Sequence, residues 1–442
     1  MGDPWTTEQV LALAPDASSV TAGRKLAVLG SWSGLGASTA PAAVWGLCQG
    51  SGKTPYQTVV DVSGPAYRCS CPSRKFPCKH ALGLLLLWST GALTSSEPAP
   101  FAAEWLATRA QKGARTAGGP LAGGASRPTT TADPAAAARR ADHRHATMGA
   151  GLADLTQWLV DQVRAGLAST SRSGYGHFDA MAARMVDAQC PEVAARLRAL
   201  PGIVASGEGW HERLLSEYAS LYLLATAYQG IEGLSPELAT TVRTRAGQPP
   251  PKEQVLAGPA VRDRWNVLAV RDRALDRLTE RRCWLVGRDT GRAAVVVSFA
   301  PLGGALDASL VLGTSVDADV HFYPGAVQVR ALVSTRYGST ADPTSVVGAS
   351  VLSAADAFSD AVAADPWVTS MPVLLRDVRA ARHGGRWALR DAAAAALPVV
   401  PDQYLWKLVA LTVGDPVSVL GEWTADGLVP LSVLGPDGLV AL

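Results

Sequence analysis

Thirteen residues constrain this chain more than any others: Arg68-Cys69-Ser70-Cys71-Pro72-Ser73-Arg74-Lys75-Phe76-Pro77-Cys78-Lys79-His80. Three of the six cysteines in 442 residues fall within ten positions, and a histidine closes the set. Residues two apart on an extended strand point to the same side, so Cys69 and Cys71 can aim both sulfurs at one point. Cys78 and His80 repeat that spacing beyond a Pro-bounded loop. Three thiolates and an imidazole are the donor set of a closed, tetrahedral structural zinc site. Cys48, Cys190 and Cys283 stand alone. Two local disulfides would need four cysteines, and the fourth position is His80. The residues therefore predict one bound Zn²⁺, held by Cys69, Cys71, Cys78 and His80.

At these positions the chain resembles the SWIM-type zinc fingers, whose signature is CxCx(n)CxH. The flanks, Trp45-Gly46-x-Cys48-x-Gly50-Ser51-Gly52-x-x-Pro55-Tyr56 before the finger and Pro77 to Leu84 at its close, look like the bacterial branch of that family. The resemblance covers about residues 1–110. It implies a module for binding DNA or protein, and bacterial members often accompany MoxR-like AAA ATPases and von Willebrand A-type proteins.

The length predicts two or three domains, and a 48% hydrophobic share allows each a sizeable core. Net charge is only +2, from 40 basic and 38 acidic residues, so bulk electrostatics give no push toward nucleic acid. Arginine outnumbers lysine 33 to 7 in an Ala- and Gly-rich chain. Such a bias follows from a GC-rich genome and is not itself evidence for phosphate binding. The first residues lack the basic and apolar regions of a secretory signal. The longest aliphatic run, Leu82 to Trp88, is too short to span a bilayer. Thiolates kept for zinc suit a reducing compartment, so the expected location is the cytoplasm, away from membranes.

The predicted architecture is α+β and multidomain. Residues 1–112 form the zinc-finger domain, with short helices over 6–14 and about 19–28 capped by Thr6 or Thr7 and by Thr21. Strands at Ala43–Cys48 and Thr58–Val62, turned by Gly50 to Lys53, lead to the cysteines, and a helix from about Lys79 to Ser89 completes a ββα finger. Gly52-Lys53-Thr54 imitates the end of a phosphate-binding loop, but Leu47 stands where its first glycine must be. A further helix runs from Phe101 to Lys112. Residues 113–136, rich in Gly, Ala, Thr and Pro, read as a flexible linker. Residues 137–248 read as a helical domain of antiparallel helices. Residues 252–442 read as a mixed domain, an antiparallel sheet with helices on one face. It starts with helix over 252–279 that includes Trp265, Leu268 and Leu275. Hairpins follow around Asp289-Thr290-Gly291 and Ala425-Asp426-Gly427, with a helix near 353–364 and strands at 371–375, 385–390 and 404–413.

Catalytic motifs do not emerge. His211-Glu212 begins like a zinc-protease HExxH, but Leu215 occupies the second histidine's position. His177, Glu217, His143 and His145 lack ligand spacing, and Asp360, Asp365 and Asp377 show no pairing. The expected function is non-catalytic: a zinc-binding interaction protein whose finger recognises protein or DNA, an accessory of a MoxR-like AAA ATPase and von Willebrand A system being one form. The alternative is a DNA-binding protein using the finger's basic rim of Arg68, Arg74, Lys75 and Lys79, with Phe76 stacking on a base or anchoring a partner. The same cations would also offset the net −1 of Zn²⁺ with three thiolates. An enzyme hidden in the C-terminal part is the third reading.

Overall fold

The computed structural model describes residues 5–39, 41–50, 54–62, 66–73, 75, 77–116, 134–167, 176–275, 278–302, 306–340 and 346–442. The chain opens with two short helices, α1 (Thr7–Ala12) and α2 (Ala17–Leu26). Thr6 caps α1 in a full capping box with Gln9. The cap of α2 is Asp16, whose carboxylate accepts from Ser19 N, and not Thr21. Thr21 lies inside the helix and donates its hydroxyl back to the Ala17 carbonyl.

A four-stranded antiparallel meander follows, β1 (Trp32–Thr39), β2 (Ala42–Cys48), β3 (Tyr56–Asp61) and β4 (Ala66–Cys69). Strand β1 is invisible to propensity because Gly34 and Gly36 interrupt it at a register shift. Gly36 is there for space, since a Cβ would lie 2.5 Å from the Trp45 ring. Cys48 pairs with Tyr56, so β2 and β3 are antiparallel neighbours; Gly52 and Lys53, where the sequence places the turn, lie outside the described residues. Helix α3 (Lys79–Ser89) then packs on the sheet. Strands β2 and β3 with α3 are the expected ββα unit, and the unexpected β1 and β4 widen its sheet at either edge. Every residue of α3 from His80 to Leu87 is buried. Helices α1 and α2 cover one side of it and the sheet another, which is why this helix is apolar all round.

Helix α4 runs over Pro100–Thr116, four residues beyond the sequence expectation. The linker expected at 113–136 lies mostly outside the described residues, which resume at Pro134 with α5 (Pro134–Ala165). The central region is helical as expected: α6 (Gly176–Asp187), α7 (Pro191–Val204), α8 (Trp210–Gln229) and α9 (Pro236–Ala246). Met148, Leu152, Leu155 and Leu159 of α5 share one core with Phe178, Leu197, Tyr218 and Leu221.

The C-terminal part is mixed with mainly antiparallel sheet, as expected, but several of its elements differ. After α10 (Lys252–Leu256), the segment containing Trp265 and Leu268 is no helix but the long strand β5 (Ala260–Ala274). Its middle, Trp265 to Ala269, is buried on both faces. A buried run of that kind, apolar except for Asn266, has no period to tell strand from helix. In place of a single antiparallel sheet, β5 closes a barrel with β6 (Leu278–Gly287), β7 (Ala293–Pro301), β8 (Ser315–Phe322) and β9 (Arg330–Thr340), in the order β5-β6-β7-β9-β8. Helix α11 (Val351–Ala364) leads to a second sheet of six strands, ordered β12-β11-β10-β13-β14-β15. These are β10 (Ser370–His383), β11 (Arg386–Arg390), β12 (Ala396–Pro398), β13 (Val417–Thr424), β14 (Gly427–Gly435) and β15 (Gly438–Ala441). The stretch 404–413, expected as a strand, is helix α12 (Leu405–Thr412). Its buried residues Leu408, Val409 and Thr412 recur at helical spacing.

Contacts among the described residues join these parts. Val311, from the β7–β8 connection, enters the core of the finger domain, and Gln9 Nε2 donates to the Gly313 carbonyl at 3.0 Å. Trp367 sits in the bundle core and donates Nε1 to the Ser220 carbonyl, while Arg245 pairs with the buried Asp365 at 3.0 Å. Leu268 and Trp284 of the barrel meet Leu374, Leu420 and Leu431 of the second sheet. No helix among the described residues is long and apolar enough to cross a membrane.

Candidate metal centre

Cys69 ends β4, Cys71 follows in the loop, Cys78 is the N-cap of α3 and His80 lies in its first turn. A strand end and a helix start, both anchored in one core, thus bring the four residues together. Their ligand atoms all lie within 4.8 Å of one another. Zn–S bonds of about 2.3 Å place tetrahedral thiolates about 3.8 Å apart, so the constellation has the right scale. The Cys69 sulfur is 3.7 Å from His80 Nδ1, which makes Nδ1 the ligating nitrogen. All six cysteines are free thiols. Among the described residues no other group of three or more His, Cys, Asp or Glu side chains could hold a metal.

The surroundings support the ligands. The Thr58 hydroxyl lies 3.3 Å from the Cys69 sulfur, and the Tyr56 ring packs on the His80 imidazole with centroids 4.9 Å apart. Such outer contacts fix ligand orientation. Both come from β3, and only the Tyr56 flank of the motif hinted at them in sequence. Cys69 has the most acidic thiol. The Cys78 thiol beside it, then His80 and Thr58, pull its pKa down to about 3 against the opposing effect of burial. Cys78 moves upward because its proton is shared with Cys69 and because it is buried. Burial raises Cys71 as well. Cys48 is buried nearby but is not a ligand; burial and then the Cys69 charge hold its thiol up.

The expected rim is placed unevenly. Arg68 and Lys79 are exposed and make no ion pair among the described residues. Lys75 instead donates to the Asp16 carboxylate at 2.7 Å, so α2 already takes one rim cation. Arg74 and Phe76 lie outside the described residues. Elsewhere, side chains without ligand spacing have local partners. His145 Nδ1 is 2.8 Å from the Tyr228 hydroxyl, His177 Nε2 is 2.7 Å from Gln162, and Glu217 accepts from Arg196. His211 stacks on Trp210.

Comparison with known proteins agrees with this geometry. The SWIM zinc finger family matches residues 59–88, which hold the end of β3, β4, all four ligands and α3 up to Trp88. The SWIM-associated four-helix bundle domain matches residues 143–246, the helical core from α5 to α9. No curated protein and no solved structure matches the chain. The matched donor set makes this a single structural zinc site, with four protein ligands and no position left for substrate. The chain thus carries a SWIM-type zinc finger together with the helical bundle domain that accompanies such fingers.

Proposed function

We propose that this chain is a non-catalytic, zinc-dependent interaction protein of the cytoplasm, in which the finger builds a recognition surface for another protein. The observation that carries the reading is the burial of α3 from His80 to Leu87. A finger that reads DNA through its helix must present that helix to the major groove. Here the helix is the centre of a domain core, and zinc ties its N-cap to the end of β4. The metal's work is therefore folding, and recognition falls to the outer surface. Capture of Lys75 by Asp16 leaves Arg68 and Lys79 as the described rim cations, enough to offset the net −1 of the zinc–thiolate centre but a thin footprint for a duplex.

A MoxR-like AAA ATPase and a von Willebrand A-type protein, the partners implied by the resemblance to bacterial SWIM fingers, are the first to test. The zinc-loaded chain should bind one of them in a pull-down with purified components, and the Cys78→Ser variant should lose that binding. Binding that survives complete zinc removal would show that the finger is not the recognition element.

A further inference from the structure

A surface far from the finger in sequence carries its own chemistry. Residues 376–390, at the β10–β11 hairpin, include five arginines, His383 and one acid, Asp377. The register sets Arg379 opposite Arg390 and His383 opposite Arg386, with Ala381 opposite Ala388 between them. Side chains two apart share a face, so Arg379, His383, Arg386 and Arg390 line one side of the ribbon over a floor of two alanines. Like charges directly opposite on paired strands are destabilising. Among the described residues none of the five arginines makes an ion pair, and Arg376, Arg379, Arg382, Arg386 and Arg390 are all exposed. Some barrel arginines are paired instead: Arg262 with Asp317 and Arg281 with Asp272, across adjacent strands.

The other face of the ribbon is aromatic. Arg382 lies over the Trp387 ring at 4.6 Å, and Trp387 meets Trp406 edge-on with centroids 6.0 Å apart. Trp406, in the first turn of α12, is 67% exposed, which leaves most of a large π-surface in water. Gly384 and Gly385, both at positive φ, turn the ribbon sharply, and nothing lies within 4 Å of where their Cβ atoms would be. The tip is open.

We propose that this hairpin, with Trp406, binds single-stranded nucleic acid. Unpaired cations in a row on one face meet phosphates without sequence preference, and the exposed indole on the other face stacks an unpaired base of a strand that crosses the open tip, which a duplex does not offer. The site is distinct from the usual ligand face of five-stranded oligonucleotide-binding barrels, the second and third strands. In this barrel that face, around Trp284 and Val295, is covered by Leu374, Leu420 and Leu431.

The test uses the full-length, zinc-loaded chain and a labelled oligothymidylate in a salt series, with a duplex of equal length alongside. The single strand should bind more tightly than the duplex. The slope of log affinity against log salt should be about −2, from three arginines on the cationic face at about −0.7 each. Trp406→Ala should weaken binding about tenfold. Replacing Arg379, Arg386 and Arg390 together by Ala should flatten the salt slope, and the single reversal Arg386→Glu should weaken binding in the same direction. Zinc content and urea midpoint, measured on each variant, should match the parent. No binding at low salt overturns the proposal. So does equal duplex affinity with no effect of Trp406→Ala, or loss of binding in Arg68→Ala/Lys79→Ala with the hairpin variants unaffected.

Discussion

Replacing Cys78 by serine separates the metal from everything else the residue does. Cys78 is the N-cap of α3, and serine is among the best N-cap residues, so the helix start itself should not suffer. The volume is nearly conserved. What is lost is a thiolate ligand, and with it the tie between β4 and α3. Treated as a cross-link, the tie from Cys69 to Cys78 closes a ten-residue loop, which restricts the unfolded chain by about 3 kcal/mol. The full binding free energy of a structural zinc, on the order of 10 kcal/mol or more, sets the upper limit. A domain stability of roughly 5–15 kcal/mol survives the first figure and not always the second. The variant should therefore contain well under one zinc per chain, and amides in α3 should exchange with deuterium at least roughly a hundredfold faster. Exchange read peptide by peptide is the right assay, because a chain with several cores has no single unfolding free energy. Chelator should bring the parent to the variant's rates and leave the variant unchanged. One zinc per variant chain, or unaltered α3 exchange, would refute the ligand assignment.

Other expectations rest on single contacts. Gly36→Ala should destabilise the N-terminal sheet by about 1–3 kcal/mol, read as faster exchange in β1 and β2, because its Cβ would press on Trp45. Asp365→Ala should loosen the attachment of the bundle to the C-terminal part, as its buried carboxylate pairs with Arg245; a double-mutant cycle with Arg245→Ala should give a coupling of about 1 kcal/mol or more, and zero coupling would discard the pair. Asp263 predicts a pH effect. Burial raises its pKa, but hydrogen bonds from the Thr290 side chain and amide and from the amides of Asp289 and Arg264 outweigh burial and depress it. A depressed folded-state pKa contributes stability that is present above about pH 4 and lost as pH falls through the folded value. Asp263→Asn should therefore cost stability at neutral pH and flatten the acid limb of barrel unfolding; a parallel limb would exclude Asp263 as its source.

The metal centre was legible in sequence because its chemistry is local. Four ligands within twelve residues, at strand and helix-start spacings, leave few alternatives, and the helix beginning at Lys79 announces itself by its apolar run. The bundle was legible for a similar reason, as helical periodicity in Leu152, Leu155 and Leu159 is a property of one segment. The barrel was not. Trp265 to Ala269 are buried on both faces because Trp265 and Val267 fill the barrel and Leu268 and Ala269 meet the second sheet, and no local pattern records two neighbours. The segment 404–413 failed as a strand on the same ambiguity of short apolar runs. Whether a cation is free or spent is also a tertiary fact: Lys75 and Arg379 look alike in sequence, but Asp16 folds back onto Lys75, whereas Arg379 faces Arg390 across a hairpin. Sequence by itself determined which atoms can hold zinc, because ligand chemistry needs only residue type and short spacing. Tertiary structure alone decided which charges and rings stay open to a partner, because that depends on what long-range packing leaves uncovered.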